Sequence, residues 1–244
     1  MSQLDLPLEA DISTLHLSFV ETGRARPSVE MLELLADRLE MPLRARNALL
    51  LAAGFAPRHE ERAFDDPGMA DARRVVEHVL KGHEPYPAMA VDRHWNIVAG
   101  NAAIGLFTEQ ISPELMTPPV NAIRLALHPD GLAPQIVNFG EWRGHVLEQL
   151  DRQIAASADA GLVALRDEVA SYPSQAAAND ACNAPEHAIA LPLILDTVLG
   201  RAVFVSTITI FGTPVDVTLS ELALESFFPA DAATARLLEK ALPR

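Results

Sequence analysis

The chain is poor in the residues that carry most familiar chemistries. A single cysteine, Cys182, among 244 residues excludes an internal disulfide framework and a cysteine-based zinc site. Aromatic residues make up only 5%, so the core has to be assembled mainly from Ala, Leu, Val and Ile. Cations are scarce as well: 19 Lys and Arg against 33 acids leave a net charge of -14. A chain this acidic does not attract nucleic acid through its overall field, and any DNA contact must come from a local patch. No apolar run approaches the ~20 residues that span a bilayer. The longest, "AIALPLILDTVLG", is broken by Pro192 and Asp196. The start, "MSQLDLPLEAD", lacks the basic and apolar regions of a signal peptide. These absences predict a cytoplasmic protein with no membrane partner.

Catalytic signatures are missing too. There is no Gly-rich phosphate loop, no paired catalytic carboxylates and no Ser nucleophile elbow, so the expectation is not an enzyme. The histidines form no ligand pattern: His78 and His83 are five apart, and His83 and His94 eleven apart. Capping or surface roles fit them better than a metal. Cys182 has His187 five residues on, but both fall in a loop-like stretch, which argues against a catalytic pair. No cofactor is called for.

What is present suits a folded chain. A hydrophobic content of 49%, a mean hydropathy of +0.13 and a charged fraction of 21% allow a sizeable core and argue against disorder. The length allows one large domain or two modest ones. Texture divides the chain into residues 1–62, a linking segment 63–82, and residues 83–244. The first part reads as consecutive short helices. Leu4, Leu8 and Ile12 recur at helical spacing around Pro7. Ser13 caps a helix that Gly23 ends, with Leu17 and Val20 inward. Ser28 caps the next helix, and another runs from Pro42 to Gly54. "MADARRVVEHVLKGH" predicts a linking helix with Ala72, Val75, Val76 and Val79 on one side.

From Pro85 strands appear. "YPAMAVDRHWNIVAGN" reads as strand, tight turn, strand, with Asp92, His94 and Trp95 as turn chemistry and an aromatic plug. Helices follow from Asn101 and on both sides of "HPDG". Residues from about 171 to 188 read as loop. "IALPLIL", "AVFVSTITIFG" and "PVDVTLSELALESFF" read as strands, and "ADAATARLLEKAL" as a terminal helix. The expected class is an all-α helix-turn-helix N-terminal domain joined to an α+β domain.

Within the first part, "HLSFVETGRARPS" has a helix-turn-helix layout. If Leu17 and Val20 point inward, Thr14, Leu15, Ser18 and Phe19 face outward. Arg24, Arg26 and Ser28 follow where such a fold meets the DNA backbone again. The span "SQLDLPLEADISTLHLSFVETGRARPSVEMLELLADRLEMPLRARNALLLAAGFAP" resembles the Cro/phage-repressor-type (XRE) domain of the MmyB-like transcription regulators. "PYPAMAVDRHWNIVAGNAA", "RLALHPDGL", "IVNF" and "TITIFGTPVDVTLSELALESFFPADAATARLL" resemble that family's PAS-like ligand-binding domain. Together they cover most of the chain in family order.

The resemblance implies a bacterial, homodimeric regulator of double-stranded DNA whose PAS-like domain binds a small apolar, fatty-acid-like ligand. It places Thr14, Leu15, Ser18 and Phe19 at the major groove, and Gln3, His16, Arg24, Arg26 and Ser28 near phosphates. Leu15 and Phe19 could touch a thymine methyl but cannot read a guanine. The family carries an Arg-rich helix before "SQ", and Met1 stands where that helix would end. This predicts a misplaced start or an N-terminally shortened DNA-binding domain. The alternative reading is a ligand-binding or dimerisation protein with impaired DNA binding.

For the ligand, Arg124, His128 and Asn138 are candidates for the mouth of a pocket, meeting a carboxylate head group. Phe139, Trp142 and Val146, at i, i+3 and i+7, share one helix face that would line an apolar cavity or simply form core. Leu127 is grouped with them.

Overall fold

In the computed structural model, the structure describes residues 14–109, 111–173 and 190–243. The expectations for Gln3, Leu4, Leu8, Ile12, Ser13, Cys182 and His187 lie outside these residues, as do the side chains of Thr14 and His16. The chain forms two compact units. One holds the chain up to Gly68 together with Phe211–Ser220; the other holds Met69–Ile210 and Glu221–Arg244. The expected helical N-terminal part followed by an α+β part is what folds.

The first unit is built from short, firmly ended helices. Helix α1 (Thr14–Glu21) closes in a Schellman motif: the Gly23 amide donates to Val20 O and the Arg24 amide to Phe19 O. The motif needs a left-handed residue at its end, and Gly23 supplies it at φ 72° without steric cost. Helix α2 (Val29–Arg38) starts at Ser28, whose hydroxyl accepts from the Met31 amide at 3.2 Å. Leu17 packs against Leu35, with Met31 and Leu34 alongside. Helix α3 (Leu43–Ala52) follows Pro42. Its Asn47 holds the exit segment, donating to His59 O at 2.7 Å and accepting from the Arg58 and His59 amides at 3.1 Å.

The second unit opens with α4 (Ala70–Gly82). Val76 and Leu80 are its buried residues, whereas Val75 and Val79, expected on the same side as Val76, are 51% and 47% exposed. Both pairs obey helical spacing, and only tertiary contacts decide which side faces the core. Strand β1 (Ala88–Val91) and β2 (Ile97–Gly100) form a hairpin. Its turn is organised by Asp92, whose Oδ1 accepts from the His94 and Asn96 amides at 2.8 Å. Asn101 begins α5 (Ala102–Thr108), but its buried amide is spent elsewhere. It accepts from the Ala88 amide and donates to Leu80 O and Tyr86 O, joining α4 to the start of β1.

Helix α6 (Ala122–Leu127) is capped by Asn121 and leads into "HPDG". There a Cβ on Gly131 would sit 2.3 Å from Leu125 O, so the close chain approach requires glycine. Helix α7 (Phe139–Ser157) is followed by α8 (Ala160–Ser171), an element the sequence reading did not separate. Asp159 caps it, accepting from the Gly161 amide at 2.7 Å. Strands β3 (Leu193–Thr197) and β4 (Gly200–Ile210) form a second hairpin. The stretch expected as one strand from Pro214 divides into a short helix α9 (Val217–Ser220) and strand β5 (Ala223–Pro229). Helix α10 (Ala232–Ala241) packs on β4 and β5.

The five strands form one antiparallel sheet in the order β2-β1-β5-β4-β3, with β5 at its centre. The second unit's core lies between the sheet and α5 to α8.

Candidate ligand cavity

That core is not solid. It contains a partly open cavity of about 390 Å³ lined by residues of the second unit. The sheet supplies Met89, Ile97, Leu193, Leu195, Phe204 and Phe227. Helix α5 supplies Ile104 and Phe107, and α6 supplies Ala122, Ile123, Leu125 and Ala126. Leu132 and Ile136 close the loop side. Helix α7 contributes Trp142 and Val146 from its buried face. Trp95 also lines the space, its indole N–H donating to Gln153 Oε1 at 2.9 Å. Both tryptophans of the chain therefore lie in this wall.

Polar groups in the wall are few. His145, Gln149 and Arg152 follow one another along the flank of α7 at spacings of four and three residues. His145 and Arg152 are exposed, which puts them at the rim. Thr108 adds a hydroxyl from the end of α5. From the sheet come Ser206 and Glu225. Glu225 is only 8% exposed, and Ser206 on β4 is its diagonal neighbour across the strands. Burial pushes its carboxyl up to about 7, against a smaller downward pull from Ser206.

The residues picked out from the sequence are distributed unevenly around this space. Trp142 and Val146 line it. Phe139 and Leu127 are buried in the surrounding core without forming its wall. Arg124 is engaged elsewhere: its Nε and Nη2 each donate to a Glu168 carboxylate oxygen at 2.7 Å. The Tyr172 hydroxyl donates to the same carboxylate at 2.6 Å. The Arg124 hydrogen bonds hold Glu168 below the usual carboxylate range, against an upward push from burial. His128 stacks edge-on against Tyr172 with ring centroids 4.9 Å apart. Asn138 stands at the start of α7 but does not cap it. Its Nδ2 donates to Pro192 O at 2.8 Å and its Oδ1 accepts from the Ile194 amide at 3.2 Å. These groups fix α6, α7, α8 and β3 around the cavity.

The family comparison agrees with this geometry. The family described as the MmyB-like transcription regulator ligand binding domain matches residues 72–241. This chain belongs to that family. Its second unit is a regulator's ligand-binding domain. Among curated proteins none matches this chain. Among the described residues no helix is long and apolar enough to cross a membrane, and no group of three or more His, Cys, Asp or Glu is placed to hold a metal.

Glu225 is the wall residue that sequence reasoning passed over. In "ALESFF" it alternates with Ala223 and Phe227, so a period-2 reading puts all three on one face of the strand. An acid sharing the face of a half-buried phenylalanine was the available signal.

On the first unit, Leu15 is 62% exposed, and Ser18, Arg24, Arg26 and Ser28 are exposed as well, with Phe19 half-buried. Leu17 is the buried residue of the same helix.

Proposed function

We propose that this protein is a one-component transcription regulator. A small apolar, fatty-acid-like ligand occupies the cavity, and the N-terminal helices of a homodimer bind double-stranded DNA. The cavity carries the reading. Its volume of about 390 Å³ falls within the roughly 300–1,000 Å³ usual for small-molecule sites. Its aliphatic and aromatic wall with a short polar rim suits a chain with one charged end. In this reading Trp142 and Val146 touch the aliphatic chain. Arg152 and His145 meet the carboxylate at the rim, because a guanidinium keeps its charge at any working pH. Arg124, Leu127, His128, Asn138 and Phe139 act on the ligand only through the elements they hold in place.

DNA is read by the exposed face of α1, through Thr14, Leu15, Ser18 and Phe19. Gln3, His16, Arg24, Arg26 and Ser28 meet phosphates. The support is the outward placement of Leu15 and Ser18 opposite buried Leu17, and the Schellman turn that sets Arg24 at the helix end. A ligand shifts DNA affinity only so far as it binds the two arrangements of the dimer unequally. Strands β4 and β5, which carry Ile208 and Glu225 of the cavity wall, run on directly into Phe211–Ser220 of the first unit. That continuity offers a route for coupling beside α4.

The test joins two titrations. Dodecanoic acid is added while the fluorescence of Trp95 and Trp142 is followed. Binding to the promoter DNA flanking the gene is then measured over a salt series, with and without the acid. The expected result is saturable quenching and a shifted DNA affinity. In Arg24→Ala/Arg26→Ala the salt slope should flatten by about two, roughly one per lost phosphate contact. Quenching without any DNA binding would favour the ligand-binding or dimerisation alternative. The absence of both signals would overturn the reading.

A further inference from the structure

The cavity's one buried acid has no role in gripping a carboxylate at the rim. Glu225 lies on the central strand of the sheet, where Met89 of β1 is its partner on one side and Ile208 of β4 on the other. Both neighbours line the cavity with it. Ser206 pairs with Phe227, two residues beyond Glu225, and both Ser206 and Glu225 line the cavity, so the two are diagonal neighbours across the strands. Among the described residues nothing else on the sheet side of the wall is polar. The other titratable wall groups, His145 and Arg152, stand on the exposed flank of α7 at the rim.

A buried carboxyl among Met, Ile and Phe side chains is costly unless its hydrogen-bonding capacity is used. One neighbouring serine hydroxyl can use only part of it. Because burial favours the neutral form, the group presents both a donor and an acceptor to whatever lies in the cavity. A plain alkyl chain leaves that capacity unused, and a second carboxylate at this point would be repelled. An ammonium would require two desolvated charges, whose attraction often no more than offsets their desolvation.

We propose that Glu225 and Ser206 form a polar subsite inside the apolar cavity, selecting an aliphatic ligand that carries a neutral hydroxyl or keto group along its chain. The inference rests on the ligand reading above and deepens it, by separating the group that meets the rim from a second one that meets the sheet. A hydroxyl at such a point comes from oxygenation of the chain or from reduction of a carbonyl, and a keto group from oxidation of the alcohol or from an acyl condensation; neither ligand is the bare acid.

The experiment uses the full chain and its tryptophan fluorescence. Dodecanoic acid, its hydroxy and keto derivatives substituted at successive carbons, and dodecylamine are titrated into the wild type, Glu225→Gln and Glu225→Leu. The wild type should prefer at least one hydroxy or keto isomer over dodecanoic acid by about tenfold, the worth of one well-made hydrogen bond. Glu225→Gln, whose amide still donates and accepts, should keep most of that preference. Glu225→Leu should lose it while binding dodecanoic acid at least as tightly as the wild type. Equal binding of every acid by the wild type would overturn the subsite and leave the ligand reading standing. A Glu225-dependent preference for dodecylamine would overturn it in favour of an ion pair. Binding of no member would overturn the ligand reading and the subsite together. The wild-type ranking decides even if Glu225→Leu fails to fold.

Discussion

Asn138 and Ile194 are fifty-six residues apart, yet the Asn138 Oδ1 accepts from the Ile194 amide at 3.2 Å while its Nδ2 holds Pro192 O at 2.8 Å. One side chain thus pairs with the backbone on both sides of Leu193, a residue of the cavity wall. Val137 extends the seam, its amide donating to Ile194 O at 2.8 Å. Replacing Asn138 with Ala leaves a buried donor and a buried acceptor without partners. A loss of about 2 kcal/mol is expected, together with weaker ligand binding as β3 loosens from α7. Urea denaturation followed by tryptophan fluorescence checks it; a change below roughly 0.5 kcal/mol would show that water or a shifted loop replaces the seam.

The buried acid gives the free protein a definite pH dependence. Glu225 titrates near 7 in the folded chain and near 4.5 when exposed. Between those values the folded state holds the extra proton, so stability falls as pH rises. The penalty is absent below about pH 4.5 and complete above about pH 7, where it reaches on the order of 3 kcal/mol. Glu225→Gln should therefore be more stable than the wild type at pH 8, with the difference shrinking toward pH 5. Thermal melts of the ligand-free protein at both values measure it. Equal melting temperatures at pH 8 would show that the carboxyl reaches water.

Much of the frame around this acid was legible in the sequence. Ser28 marked a helix end through its hydroxyl and Gly23 and Pro42 through their backbone conformation, and "AMAVDRHWNIVAG" announced a hairpin around a polar turn. What could not be read was which of two equally good faces a helix buries. Val75 and Val79 obey the same spacing as Val76 and Leu80, and only the sheet decides between them. The cavity was half legible. Trp142 and Val146 were visible as a stripe, but a stripe facing a void and a stripe facing core look alike in one dimension. The sheet side of the wall was hidden because it depends on register: Met89, Glu225 and Ile208 come together only once β1, β5 and β4 are aligned.

Arg124 offers a contrast with the rim arginine. Its guanidinium is held by both oxygens of Glu168 and is not in the cavity wall. The pair is more than one-third exposed on each side, so solvent screens it and Arg124→Ala should cost about 1 kcal/mol. Affinity for dodecanoic acid should stay within about twofold, whereas Arg152→Ala should weaken it about tenfold. Glu168 is held below its ordinary range, so the Arg124 contribution should be present near neutrality and fade as pH falls below the usual carboxylate value. Parallel titrations of the two alanine variants decide which arginine meets the head group.

The connection between β4 and β5 carries the last prediction. Within the first unit, buried Asp216 caps α9, accepting from the Thr218 amide at 2.9 Å, and faces Arg62 Nη1 at 3.6 Å. The Val217 amide donates to Glu60 O at 2.8 Å and the Thr218 hydroxyl to Arg62 O at 2.6 Å. The segment is thus held by the exit from α3, while its two ends continue into strands of the cavity wall. Asp216→Ala removes the cap and the charge facing Arg62, and should destabilise the first unit by about 1–2 kcal/mol. Ligand affinity should not change, because no wall residue is touched. If coupling runs through this segment, the shift in DNA affinity on adding dodecanoic acid should shrink by more than the loss in unliganded DNA affinity explains. A coupling equal to that of the wild type would assign the relay to α4 instead, since α4 leads into the second unit from the other crossing of the chain.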